Sequence, residues 1–288
     1  MKVGGAGEFS LLDRIKPFLD ARAGRDDAAV LAVEGGLLVA SCDTFVEGVH
    51  FDLSWMSAED AGWRSLALAL GDLAAKGAIP AWALTTLAMP ATWETAHLEG
   101  VYRGMAGLAR QTPLQIVGGD MSAVDGPAML SITVVGHSDK LPLQRGEAKP
   151  GWMVALTGPL GAAAIALRER RALRLQPRLA EGRLLNGLGL CCGDVSDGLV
   201  REMEKFLYMA GVGSRINAAD VPVAAGASLE DALTGGEETE LVCVGPEDLI
   251  GSAGLRVIGT LTDGGRVEIV DAHGKPVRFD HGGYDHFE

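Results

Sequence analysis

Aromatic residues are scarce in this chain: Phe, Trp and Tyr together make up 5% of it. Cysteine is scarcer still. The four thiols, Cys42, Cys191, Cys192 and Cys243, form no C-x-x-C pair, and the adjacent Cys191 and Cys192 could bridge each other only under strain. Reduced, buried cysteines in a reducing compartment are the expectation. Basic residues form no cluster, and 25 Lys and Arg against 38 Asp and Glu leave a net charge of −13. That balance argues against nucleic acid or an anionic membrane as the main partner. No apolar run reaches the ~20 residues of a membrane span. The longest weakly polar stretch, Trp152 to Leu167, is broken by Thr157, Gly158 and Pro159. Residues 1–18 carry Lys2, Glu8, Asp13, Arg14 and Lys16 and no signal-peptide core, so a cytoplasmic protein is expected. Three motifs are also missing: no lysine sits in a G-K-[ST] context, no G-x-G-x-x-G opens a helix, and no H-E-x-x-H occurs. Walker-type, protein-kinase and zincin chemistry are disfavoured.

What is present is a core. The 288 residues are 48% hydrophobic, enough for one large or two ordinary domains, and the 40 glycines are scattered as turn markers without a repeat. Leu37–Cys42, Trp82–Leu87, Leu114–Val117 and Met129–Val135 read as strands. Ser57 and Asp60 form a capping box ahead of Trp63, Leu66, Leu70 and Leu73, and Gly77 with Pro80 ends that helix. A second helix spans about Glu94 to Arg110, with Leu98, Val101, Tyr102, Met105 and Leu108 on one stripe. The polar stretch Ser138–Pro150 marks a boundary, dividing the chain into 1–137 and 138–288. The pattern then begins again, with strands at Trp152–Leu156, Leu190–Val195, Glu240–Val244, Arg256–Gly259 and Val267–Val270. Helices are expected over Gly161–Arg171 and Gly198–Ala210, the latter capped by Ser196 or Asp197. Two α+β domains without a regular βαβ rhythm are the simplest account.

The chemistry points to cations. Asp26, Asp27, Asp43, Asp72, Asp120, Asp194 and Asp197 each stand where an apolar segment meets a loop or helix end. Carboxylates on separate loops bind hard cations alongside phosphates, and an acidic protein needs such cations to hold anionic substrates. Asp72 sits near a helix C-terminus, where the macrodipole disfavours an anion, so either a metal or Lys76 four residues on compensates it. Gly193-Asp194-Val195-Ser196-Asp197-Gly198 ends a strand and opens a helix; its N–H groups suit phosphate and its aspartates suit metal, with a plain N-cap as the alternative for Asp197. Gly118-Gly119-Asp120 and Gly235-Gly236-Glu237-Glu238 let backbone approach a bulky ligand beside a carboxylate, or are turns with solvated acids. His50 is either structural or functional, Arg145 is either solvated or a fork for a nucleotide phosphate, and Tyr102 is either core or one wall of an adenine pocket.

Taken in order, these segments resemble the thiamine-monophosphate kinase family, of the superfamily that includes aminoimidazole ribonucleotide synthetase and selenophosphate synthetase. The likeness is carried by Gly7-Glu8-Phe9, Asp26-Asp27-Ala28-Ala29, Asp43-Thr44-Phe45-Val46-Glu47-Gly48-Val49-His50-Phe51, Gly71-Asp72-Leu73-Ala74-Ala75, Gly118-Gly119-Asp120, Asp194-Val195-Ser196-Asp197-Gly198, Gly235-Gly236-Glu237 and Gly283-Tyr284-Asp285-His286-Phe287. The resemblance implies a two-domain α+β fold, a homodimer through the N-terminal domains, and ATP bound with several Mg2+ for transfer to thiamine monophosphate. It assigns Asp27, Ser41, Asp43, Asp72, Asp120, Asp194 and Asp197 to metal, with Asp43, Asp72, Asp120 and Asp197 catalytic. Tyr102, Gly119, Asp120, Arg145 and Ser196 fall at nucleotide positions, and His50, Glu237 and Tyr284 at acceptor positions. The chain departs from the family pattern at Arg25, where a glycine usually stands, and at Cys42 and Thr239. The segment Arg171–Arg178 is short, which reads as a trimmed surface insertion. Another superfamily member with a different acceptor, or a non-catalytic nucleotide-binding paralogue, are the rival readings.

Overall fold

The computed structural model describes residues 7–19, 26–279 and 282–287; Arg25 lies outside them. The first half contains α1 (Glu8–Ile15), β1 (Ala29–Val33), β2 (Gly36–Val46), α2 (Ala58–Ala75), β3 (Ile79–Met89), α3 (Thr95–Ala109), β4 (Gln115–Ala123) and β5 (Met129–Ser138). Its five strands pair in the order β1-β2-β5-β3-β4, antiparallel except for the parallel β3–β4 pair. Along β3 the residues alternate strictly: Ala83, Thr85 and Leu87 are buried, while Trp82, Leu84 and Thr86 are exposed.

The helix α2 forms where the sequence predicts. Ser57 Oγ accepts the N–H of Asp60 at 3.0 Å, and Gly77, at φ 59°, turns the chain after the last helical residue. Every residue from Ala61 to Ala75 is buried, because the helix is covered on all sides. The first sheet and α3 cover one side; α5 (Leu179–Leu188) and β7 (Cys191–Asp194) cover the other. Full burial of Leu66, Leu70 and Leu73 contributes about 1.5–3 kcal/mol each. Glycines permit the close approach to α3: a Cβ on Gly104 would lie 1.8 Å from the carbonyl oxygen of Glu59.

The second half continues with β6 (Met153–Leu156), α4 (Ala162–Arg168), α5, β7, α6 (Leu199–Ala210), β8 (Gly213–Asn217), α7 (Leu229–Thr234), β9 (Leu241–Gly245), α8 (Glu247–Ala253), β10 (Arg256–Thr262) and β11 (Val267–Val270). Six strands pair as β11-β8-β10-β6-β9-β7, with β7 at the edge nearest α2.

Several expectations need correcting. The helix expected to reach Arg171 stops at Arg168, and Arg170 takes a positive φ of 50°. Gly198, not Ser196 or Asp197, is the N-cap of α6, and no side chain caps it; Asp197 is turned toward Lys205 instead. The segment before α5 is not a plain surface loop. Leu175 is buried, its carbonyl accepts the indole N–H of Trp63 at 2.8 Å, and Arg174 stacks on that indole while pairing with Glu59 and Asp60. Of the cysteines, three are buried but Cys42 is exposed on β2, beside Ser131 and Thr133.

Candidate active site

The carboxylates gather where α2 meets β7 and the end of β2. Asp27, Asp72 and Asp194 each present an oxygen within 4.8 Å of the others. Asp194 is the last residue of the buried edge strand β7, and it reaches α2 because position 71 lacks a side chain. Ser41 donates its hydroxyl to Asp72 and lies 3.3 Å from the carbonyl oxygen of Asp27. Asp72 therefore does not pair with Lys76. That lysine bonds Asp26 at 2.5 Å and the carbonyl of Cys192 at 2.8 Å.

Electrostatics join Asp43 and Asp197 to the group. Burial, followed by the charges of Asp27 and Asp197, pushes the Asp43 carboxyl up to about 6. Burial and the charges of Asp43, Asp194 and Asp27 hold Asp72 well above the ordinary carboxylate range, and burial together with Asp27 does the same for Asp194. Burial opposes ionisation of Asp27 as well, but the adjacent Arg145 and Lys76 overcome it, and its carboxyl is lowered. Asp27 Oδ2, Asp43 Oδ2 and Asp194 Oδ1 are buried without a hydrogen-bond partner. Buried carboxylate oxygens without a hydrogen bond, from three chain segments, are a donor set suited to a hard divalent cation.

A second ion cluster supports the first. Arg145 is fully enclosed, and its guanidinium engages Asp26, Asp27 and Glu202. It is not the solvated arginine that a polar linker suggests. Gly193 makes room for it, since a Cβ there would meet Glu202 Oε1 at 2.2 Å. Asp26 is thus a structural partner, while its neighbour Asp27 faces the centre.

The residues expected at the acceptor come together beside the aspartate loop. His50 Nδ1 accepts the N–H of Val46 at 3.0 Å, and burial and the nearby His286 lower its pKa to about 4. The ring is therefore neutral near pH 7, with Nε2 carrying the proton. The His286 ring lies tilted beside His50 at 5.2 Å between centroids, and Tyr284 meets His286 edge-on at 4.7 Å. Tyr284 N–H donates to the carbonyl of Asp197 at 3.0 Å, which ties the C-terminal segment to the aspartate loop. Glu237 pairs with Arg64 of α2, and its own N–H bonds the carbonyl of Ser196. Glu237 holds a positive φ of 62°, a strained position kept by these contacts. Burial raises its pKa even though Arg64 opposes that. Glu238, by contrast, faces inward and accepts the N–H groups of Gly161 and Ala163 at the start of α4.

Three predicted residues stand apart. Tyr102 is half-buried on α3, and Asp120 is exposed on β4, the sheet edge. The pairings Asp120↔Thr86, Thr86↔Ser131 and Ser131↔Thr44 put Asp120 three strands from the Asp43 region, about 14 Å at ~4.8 Å per strand. Gly119 shares that edge. The sequence reading missed Arg64, Glu202 and Lys205. Arg64 had a signal, being a charge inside the apolar run of α2; Glu202 and Lys205 had none beyond lying on the helix that Asp197 precedes.

The chain is similar to known proteins in sequence and in fold. Residues 25–138 match the family model described as AIR synthase related protein, N-terminal domain. Thiamine-monophosphate kinase of Salmonella typhimurium is 33% identical over an alignment covering 98% of both chains, and that of Bacillus subtilis is 32% identical over 81% of this chain and 82% of its own. A solved structure of AaThiL complexed with AMPPCP and TMP superposes with a TM-score of 0.88 at 27% identity, covering 100% of this chain and 99% of that one. The fold is the two-sheet α+β architecture of that enzyme, and the chain belongs to the thiamine-monophosphate kinase family.

Proposed function

We propose that this protein phosphorylates thiamine monophosphate to thiamine diphosphate with ATP in the cytoplasm. The observation that carries the reading is the buried group of Asp27, Asp72 and Asp194 with its unpartnered oxygens. An acidic chain can hold two phosphorylated substrates together only if cations intervene. Asp27, Ser41, Asp43, Asp72, Asp194 and Asp197 are the residues we assign to hold several Mg2+. Bound there, magnesium would neutralise the phosphates of both substrates and of the departing ADP.

The chain's own residues act by positioning. In the proposed reaction a terminal phosphate oxygen of the acceptor attacks the γ-phosphorus of ATP in line, and the bond to ADP breaks. That oxygen is largely ionised near pH 7, since a phosphate monoester has a second pKa of ~6, so no strong general base is needed. Neutral His50 has an Nε2–H to donate, and with Glu237 and Tyr284 it is assigned to the acceptor. Ser196 and the N–H groups of its loop are assigned to ATP phosphates, and Tyr102 to the adenine side. Arg145 is held by three carboxylates, so in this state its part is to fix Asp27, and reaching nucleotide requires those pairs to rearrange.

A homodimer completes the proposal, with residues 1–137 and 138–288 acting as two domains. Trp82, Leu84, Val117 and Met129 are exposed on adjacent strands of the first sheet, an apolar face suited to a second copy. Burying it would let Gly119 and Asp120 serve a site that their own chain leaves distant. The test is to incubate the protein with ATP and thiamine monophosphate, with Mg2+ or with excess EDTA, and to quantify ADP and thiamine diphosphate. Stoichiometric, magnesium-dependent products are expected. A folded protein that binds ATP but makes neither product from this acceptor would rule the reading out.

A further inference from the structure

Lys205 is a charged residue of the centre without a role in the reading above. It projects from α6, two turns beyond Asp197, and its Nζ lies 2.9 Å from Asp197 Oδ2 and 3.3 Å from Glu202 Oε2. Lys76, Arg145 and Lys205 face Asp26, Asp27, Asp43, Asp72, Asp194, Asp197 and Glu202, so acids outnumber bases heavily. The first two cations are enclosed, and beside their pairs with Asp27 each keeps a partner outside the assigned metal ligands, Asp26 for both and Glu202 as well for Arg145. Lys205 differs in its exposure and in pairing with Asp197 and Glu202 rather than Asp26. Its side chain is 16% exposed, and its closest partner, Asp197, is an assigned ligand. Its charge also acts on Asp27, Asp43 and Asp194, partly offsetting their crowding. A dication that recruits Asp197 must therefore compete with this ammonium.

We propose that Lys205 is the exchangeable counter-ion of the acidic centre: it holds Asp197 while the centre is free of metal and gives that carboxylate up when Mg2+ binds. This inference rests on the metal-binding part of the proposed function and not on phosphoryl transfer. Calorimetric titration of Mg2+ into nucleotide-free protein should show Lys205→Met binding about tenfold more tightly than wild type, and Lys205→Arg binding within about threefold of it. In the unaltered chain, acetylation of Lys205 by an amine-reactive ester, read by peptide mass spectrometry, should rise several-fold when Mg2+ is added. Equal Mg2+ affinity in wild type and Lys205→Met overturns the inference, and so does labelling that Mg2+ leaves unchanged. If Lys205→Met does not fold, the labelling result decides alone. Absence of Mg2+ binding by wild type would remove both the metal centre and this role. A missing kinase activity with Lys205 exchange intact would count against phosphoryl transfer only.

Discussion

Gly71 on α2 and Asp194 at the end of β7 fit into one another: a Cβ at position 71 would lie 2.8 Å from Asp194 Oδ2 and 3.4 Å from its Cβ. Gly71→Ala should therefore displace Asp194 from Asp72 and Asp27. Alanine gains up to ~1 kcal/mol of helix propensity, which offsets part of the crowding. Turnover should fall roughly tenfold or more, because small misplacements are costly in a site that works by positioning, while Tm moves by only a few degrees. Steady-state kinetics beside a melting curve checks both; unchanged turnover would mean that Asp194 is not needed where it stands.

Asp72→Asn removes a buried charge that lies among other anions. In EDTA near pH 8 the variant should melt higher than wild type, since the crowding that raises the Asp72 pKa is relieved. It should also lose turnover and most of the stabilisation that Mg2+ gives. A variant with near-normal turnover would show the metal assignment of Asp72 to be wrong.

The same crowding sets a pH dependence. Asp43 titrates near 6 in the folded chain and near 3.8 when unperturbed, so the native state binds more protons than the unfolded one between those values. Asp43 therefore lowers metal-free stability as pH rises from about 4 through about 6, His50, lowered to about 4, acts in the opposite sense up to about 6.5, and Asp72 and Asp194, shifted in the same direction as Asp43, carry the net loss upward. Melting in EDTA from pH 5 to 8 tests this, and Mg2+ should raise Tm more at pH 8 than at pH 5.5. A flat EDTA profile would contradict it.

Arg64 and Glu237 provide a test of the acceptor side. Arg64→Met leaves the Glu237 carboxyl without its cation, and losing a charged hydrogen bond of about 1.5–3 kcal/mol should raise KM for thiamine monophosphate at least tenfold. KM for ATP should change by less than about threefold. Equal effects on both substrates would argue that the pair is merely structural.

Arg145→Met should act on the whole molecule. It strands Asp26, Asp27 and Glu202 in the interior, and breaking a buried ion cluster in this way costs about 3–5 kcal/mol. Thermal melting with Mg2+ present should show a fall of roughly 10 °C.

Much of this was legible in the chain. The Ser57 capping box, the strand edges and the aspartates at element ends are local signals, and local propensity with hydrophobic period is enough to read them. Arg64 and Lys76 illustrate the boundary. Spacing offered Lys76 to Asp72 across one helical turn, yet the lysine points to Asp26, forty-six residues before Asp72, because the helix is covered on every side and packing brings a buried carboxylate to it there.

The sequence alone determined that this is an acidic α+β protein whose carboxylates stand at the ends of apolar segments, and its motifs pointed to the kinase family. Tertiary structure alone decided how those carboxylates are divided. Asp26 and Asp27 are neighbours in the chain and both pair with Lys76 and Arg145, but Asp27 also faces Asp72 and Asp194; Asp120, equal to them as a motif, stands on a distant sheet edge. The reason is physical. A carboxylate's role depends on the charges and the depth of burial around it, and those come from segments more than a hundred residues away that only packing brings together.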